Sequence, residues 1–159
     1  MVLRAILYNI RSAYNVGSIF RTACSLNFEK LYLFGITPTP ENKKVKKTSL
    51  GSENYLKWQK VKRIKKLIEE IKKEGFLVVS LEQTKKSIML QDFEPKKEKI
   101  CFIVGNEVKG INKNILKMSD FVVEIPIFGQ KESLNVSIAF AVASYYFALK
   151  NRLKGKKLN

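Results

Sequence analysis

Five stretches of the chain are apolar at most of their consecutive positions rather than at alternate ones: Val2–Tyr8, Leu31–Phe34, Phe76–Leu81, Ile100–Val104 and Phe121–Ile125. Strands buried on both faces read this way. Between them the apolar period lengthens. Ile19, Ala23 and Leu26 keep helical spacing behind Asn15, whose side chain suits an N-cap. Val61, Ile64, Leu67, Ile68 and Ile71 form one stripe with lysines opposite, and Gly75 stands where a helix would stop. A short helix is predicted over Asn112–Met118 and a long one over Ser133–Arg152, with Ser133 as its N-cap. Thr37-Pro38-Thr39-Pro40 opens a polar, basic loop that the pattern extends through Thr48. Apolar strands alternating with helices predict an α/β fold, a mostly parallel sheet with helices on both faces. No repeat or linker divides it, so residues 1–152 read as one domain and residues 153–159 as a basic tail.

The last helix departs from the usual pattern. From Leu134 to Leu149 it is apolar nearly all round, where a surface helix shows a polar face. Such a helix needs cover on every side, and in a small domain a second copy of the chain supplies it: a homodimer is expected. The same stretch is shorter than the ~20 residues of a membrane span. Asn135, Ser137 and Ser144 also interrupt it. With no signal peptide in the pattern, a cytoplasmic protein without a membrane partner is expected.

Composition then removes whole classes of chemistry. Among 159 residues there is no histidine, and the only cysteines are Cys24 and Cys101. A Ser-His-Asp triad, a Cys-His pair and a His-ligated zinc are all excluded, and no metal is expected. Charge adds a partner. Thirty Lys and Arg against fourteen Asp and Glu leave +16. Twelve basic residues and three acids (Glu53, Glu69, Glu70) fall between Lys43 and Lys73, and Lys150–Asn159 holds five basic residues and no acid. Nucleic acid is the common partner of such a field, although a solubilising surface would account for the lysines too. Only five of the thirty are Arg, and two of those, Arg11 and Arg21, share one short segment. Arginine among lysines suggests a site that needs the planar fork.

Three loops at predicted strand ends could carry chemistry. The first, Asn9 to Gly17, collects Asn, Arg, Ser and Gly before a helix N-terminus, which favours anions. The second, Gly105-Asn106-Glu107-Val108-Lys109-Gly110, is neither a Walker loop, since Ile111 stands where Lys would be needed, nor a GxGxxG fingerprint. That argues against an NTPase or a dehydrogenase. The third runs from Ile125 to Asn135 into a helix that otherwise buries everything. Taken singly, each is equally well an ordinary turn with a cap. In open α/β sheets, however, ligands sit at the carboxyl ends of strands.

Together, in this order and spacing, the three segments resemble the SpoU-type (TrmH-like) RNA 2′-O-ribose methyltransferases of the SPOUT class. The matching motifs are Asn15-Val16-Gly17-Ser18-Ile19-Phe20-Arg21-Thr22, Val104-Gly105-Asn106-Glu107-Val108-Lys109-Gly110, and Ile125-Pro126 with Ser133-Leu134-Asn135-Val136-Ser137. The resemblance runs from Val2 to about Leu149. It implies a carboxyl-terminal deep trefoil knot, a homodimer and S-adenosylmethionine as methyl donor. Asn15, Arg21, Glu107, Ser133 and Asn135 match the family's catalytic or site-forming positions. Cofactor contacts are expected from Leu81, Gly105, Ile125, Ser133 and Leu134. Some larger members carry an extra amino-terminal RNA-binding domain, which is not expected here, so RNA recognition would fall to the core, the Lys43–Lys73 region and the tail.

The implied reaction is methyl transfer to a ribose 2′-hydroxyl, with tRNA favoured over rRNA. The methyl donor is an activated sulfonium, so alignment and proton removal are what the protein must add. Arg21 could be the general base or clamp the neighbouring phosphate. A guanidinium, protonated up to about pH 12, suits the clamp at least as well. The alternatives are a base-methylating SPOUT enzyme and a non-catalytic RNA-binding protein.

Overall fold

A computed structural model describes residues 1–153 of the chain; the part of the predicted tail from residue 154 onward lies outside the described residues. Seven strands form one sheet in the order β3-β2-β1-β6-β4-β7-β5. They are β1 (Val2–Tyr8), β2 (Lys30–Phe34), β3 (Lys57–Val61), β4 (Leu77–Leu81), β5 (Ile88–Met89), β6 (Lys99–Val104) and β7 (Phe121–Glu124), and every pairing is parallel. Five helices accompany them: α1 (Ala13–Ser25), α2 (Lys43–Ser49), α3 (Ile64–Lys73), α4 (Lys113–Leu116) and α5 (Val136–Leu153).

The apolar runs are continuous because both faces are covered. Along β6, Ile100, Phe102 and Val104 pack with α1, α2 and α5, while Cys101 and Ile103 turn to α3 and α4. β1, β2 and β4 alternate the same way, so every second side chain enters a different core. The α/β expectation of a parallel sheet with helices on both faces is therefore met.

Several local expectations need correcting. Ser12, not Asn15, caps α1: its Oγ accepts from the Asn15 N–H at 3.3 Å. Asn15 lies one turn inside, and its amide is released for other partners. The basic segment before Thr48 is a helix, α2, because Asn42 caps it and Val45 and Ser49 bury against α1. Val61 ends a strand rather than starting the next helix. The sheet's two edges went unread: β5 is only the two residues Ile88-Met89, and β3 reads Lys57-Trp58-Gln59-Lys60-Val61, with the lysines that discourage edge pairing. Asn135 caps α5 in place of Ser133, accepting from the Ser137 N–H at 2.9 Å. α5 buries Phe140, Ala143, Ser144 and Phe147 against the sheet, but Ile138, Val142, Tyr145 and Leu149 are 41–53% exposed. Its outer apolar face is uncovered in the single chain.

Candidate active site

The carboxyl end of β1 runs into α1, whose first N–H groups have no partner inside the helix. Glu107, on the loop after β6, meets the two backbone N–H groups just ahead of the helix and the Asn15 side chain in its first turn. Its Oε2 accepts from the Arg11 N–H at 2.9 Å, and its Oε1 accepts from the Ser12 N–H at 3.0 Å and from the Asn15 Nδ2 at 3.0 Å. Partial burial pushes the carboxyl pKa up, but these donors outweigh it and hold Glu107 below the usual carboxylate range.

That loop is itself rigidly tied. Asn106 Nδ2 donates to the Asn9 carbonyl at 2.7 Å, and its Oδ1 accepts from the Val108 and Lys109 N–H groups. Gly110 closes the turn with φ +63°, a conformation that side chains rarely adopt. A Cβ at Gly110 would also strike the Glu82 carboxylate, which accepts from the Ile111 N–H at 2.9 Å. Behind β1, fully buried Thr37 accepts from the Ile10 N–H and shares its own proton between the Leu7 and Phe34 carbonyls. The Thr-Pro segment thus anchors the strand end from which the first loop springs.

The third loop joins through amides. Asn135 Nδ2 donates to Asn15 Oδ1 at 3.1 Å, and Asn135 Oδ1 accepts from the Ser137 N–H and Oγ. The polarity of this chain is forced. An ionised Glu107 can only accept, so Asn15 must turn its NH₂ toward it and its oxygen toward Asn135. Asn135 must then donate, which leaves its oxygen for the first turn of α5. Three loops distant in sequence become one hydrogen-bonded unit.

Over this unit opens a cavity of about 400 Å³, within the range of small-ligand sites. All five residues expected to contact a cofactor line it: Leu81, Gly105, Ile125, Ser133 and Leu134. Glu107 and Asn135 line it too, and Asn15 stands directly behind them. Arg21 is not brought to the cavity of its own chain. It sits on α1 about 120° around the helix from Asn15 and about 9 Å along it. Its side chain is exposed, with no hydrogen bond or ion pair among the described residues.

Sequence reasoning missed Glu82 and Glu124, two further carboxylates in the wall. Both stand at the carboxyl ends of apolar strands, β4 and β7, and that placement was the available signal. Among the described residues no Lys or Arg lines the cavity, although the chain carries +16. The site is a negative hollow in a positive protein.

Comparison with known proteins agrees with this geometry. Residues 2–145 match the SpoU rRNA Methylase family. A protein of Borreliella burgdorferi named a tRNA/rRNA methyltransferase is 32% identical over 151 residues, 93% of this chain and 63% of its own length. The chain spans between about half and seven-tenths of the curated relatives it matches. Among solved structures, the SpoU methyltransferase AviRb from Streptomyces viridochromogenes, in complex with AdoMet, superposes with a TM-score of 0.87 at 23% identity. The match covers 98% of this chain and 59% of that one. A structure described as giving insights into 2-OH methylation of C/U34 on tRNA superposes with a TM-score of 0.82 at 24% identity, and covers 98% of both chains.

Proposed function

Because the chain belongs to the SpoU rRNA methylase family, we propose that it transfers a methyl group from S-adenosylmethionine to a ribose 2′-hydroxyl of RNA, in the cytoplasm and as a homodimer. The observation that carries the reading is the charge of the cavity. Among the described residues its ionisable lining is Glu82, Glu107 and Glu124, with no Lys or Arg. S-adenosylmethionine brings a sulfonium and an ammonium against a single carboxylate, a net positive charge that such a wall attracts. A phosphate-bearing cofactor would find no cation to meet it. The apolar residues Leu81, Val104, Ile125 and Leu134 offer the adenine ring a floor.

When bound there, the methyl donor supplies an activated methyl group whose sulfur leaves as a neutral thioether. The chain's residues do the rest. Ser133 and Leu134 shape the cavity wall where the third loop enters, and Glu107, through Asn15, holds Asn135 at its edge. Such positioning supplies much of the barrier reduction when no strong base is present. Arg21, without a hydrogen bond or ion pair among the described residues, is placed to fork a phosphate beside the target ribose, the hydroxyl proton passing to phosphate or water.

Transfer RNA is the substrate we favour, supported by the match along the full length of both chains with the tRNA-related structure. The second copy would cover the exposed face of α5. The carboxyl-terminal knot belongs to the same reading. It is supported by β7 lying between β4 and β5, and by α5 returning to pack Phe147 on Phe93, in the segment before β6.

The test is incubation with labelled S-adenosylmethionine and unmodified tRNA, then nuclease P1 digestion and mass analysis. A 2′-O-methyl nucleotide is expected. A methylated base would replace the reading with base methylation. RNA binding with no heat on titration with S-adenosylmethionine would make the protein a binder only.

A further inference from the structure

The twelve basic residues between Lys43 and Lys73 do not make one surface, because the sheet divides them. α2 packs on α1, on the face whose core holds Val45. α3 covers the opposite face with Leu67, Ile68 and Ile71.

The two groups also differ in how their charge is used. On α3, Glu69 and Glu70 intervene among the lysines, Lys66 lies 3.7 Å from Glu70, and Lys72 pairs with Asp120 at 2.7 Å. Lys60, in β3, donates to the Gly35 and Thr37 carbonyls at 2.6 Å each. On α2, Lys43, Lys44, Lys46 and Lys47 are all exposed, and none has an ion pair among the described residues. The nearby Glu53 is turned to the Ser49 hydroxyl instead. Four like charges at three- and four-residue spacing repel one another on a seven-residue helix. Lys46 and Lys47 suit the carboxyl end of the helix, but Lys43 and Lys44 oppose its amino end, whereas a polyanion would neutralise all four.

Their place is the second observation. Thr48 Oγ donates to the Tyr14 carbonyl at 2.9 Å. Gly17 lets α2 approach so closely that a Cβ there would lie 2.3 Å from the Val45 carbonyl oxygen. The turn of α1 gripped by α2 is thus the turn that carries Asn15. Arg21 lies one turn further along the Gly17 stripe. Tyr55, 86% exposed, follows the 3-10 turn Ser52–Asn54 that also packs on α1. Cations beside an exposed aromatic ring suit a nucleic-acid strand, phosphates on the lysines and a base on the ring.

We propose that the outer face of α2, with Tyr55, is the surface on which this chain grips the RNA backbone and leads it to the cavity, and that the α3 lysines take no part. This rests on RNA being the substrate.

The experiment removes the same charge from either side. Lys43, Lys44, Lys46 and Lys47 are changed to Gln in one variant, and Lys62, Lys65, Lys66 and Lys73 to Gln in the other. Binding of a fluorescein-labelled tRNA transcript is followed by anisotropy across a KCl series, with methyl transfer measured on the same samples. The α2 variant should lose at least about tenfold in affinity near 0.1 M salt, and its log–log salt slope should fall by about 2–3. The α3 variant should stay within about threefold of the parent. A Lys→Arg version of the α2 variant should restore binding. Acetylation of the unmodified protein should show Lys43–Lys47 protected by tRNA, a readout that needs no variant to fold. Equal losses in both variants, or an unaffected α2 variant, would overturn the inference. So would a parent that binds no tRNA, or lysines protected by anionic vesicles and not by tRNA. Tight α2-dependent binding without methyl transfer would instead leave this surface standing and remove the enzymatic reading.

Discussion

Asn15 and Asn135, 120 residues apart in the chain, meet amide to amide at 3.1 Å, and the charge of Glu107 decides which way round. A carboxylate that only accepts sets the direction of every hydrogen bond from α1 to α5.

Replacing Glu107 with Gln therefore does more than remove a charge. The new side chain has one acceptor oxygen for three donors, and its own NH₂ opposes that of Asn15. Methyl transfer should fall at least tenfold, and unfolding in urea should show a loss of about 1–2 kcal/mol, modest because the carboxylate is partly solvated.

The same pair of proteins carries a pH signature. The folded pKa of Glu107 lies below its ordinary value of 4.5. Its contribution is thus present above that value and lost as pH falls through the lower folded pKa. The stability gap between the parent and Glu107→Gln should be full at neutral pH and should close as the pH falls below 4.5 and through the lower folded pKa. A gap that persists at the acid end would show that the carboxylate's charge is not what holds the loops.

Arg21→Ala should separate reaction from folding. The side chain is exposed and makes no contact that folding would miss, so stability should change by less than about 0.5 kcal/mol. Calorimetric binding of S-adenosylmethionine should be unchanged, because Arg21 does not line the cavity. Methyl transfer should drop at least a hundredfold. Transfer near the parent rate would remove Arg21 from the mechanism.

Gly17→Ala should destabilise the protein although alanine is the better helix former. The added Cβ would lie 2.1 Å from Thr48 Oγ1 and 2.3 Å from the Val45 carbonyl oxygen, so backbone must move. Overpacking of about 1–3 kcal/mol should outweigh the gain of about 1 kcal/mol in propensity. A net loss of up to about 2 kcal/mol in urea unfolding is expected, with weaker tRNA binding as α2 is pushed away.

The exposed stripe of α5 makes a prediction about assembly. Ile138, Val142, Tyr145 and Leu149 recur at four, three and four residues and are all about half exposed. The parent should sediment as a dimer, and Ile138→Glu with Tyr145→Glu as a folded monomer. A monomeric parent would leave this face unexplained and remove the second copy from the proposal.

Strands β1, β2, β4 and β6 and the parallel sheet were legible because burial on both faces writes itself as runs of apolar residues, whereas β7, apolar in sequence, buries only Val123. The three loops were legible as glycine- and asparagine-bearing turns at strand ends, and the five cofactor positions all reached the cavity. What failed was local capping and the edges. Ser12 and Asn15 are equally good caps in sequence, and only the demand of Glu107 on the Asn15 amide separates them. β3, paired on one side only, carries too little apolar sequence to be read.

Sequence alone thus determined the elements whose burial is recorded residue by residue, and the chemistry excluded by an absent histidine. Tertiary structure alone decided which polar groups face one another: the Glu107–Asn15–Asn135 chain, the carboxylate wall of Glu82 and Glu124, and the parting of the α2 lysines from those of α3. The physical reason is range. Burial acts on each residue through its own side chain, whereas a hydrogen bond between residues 120 apart exists only after the sheet has brought its strand ends together.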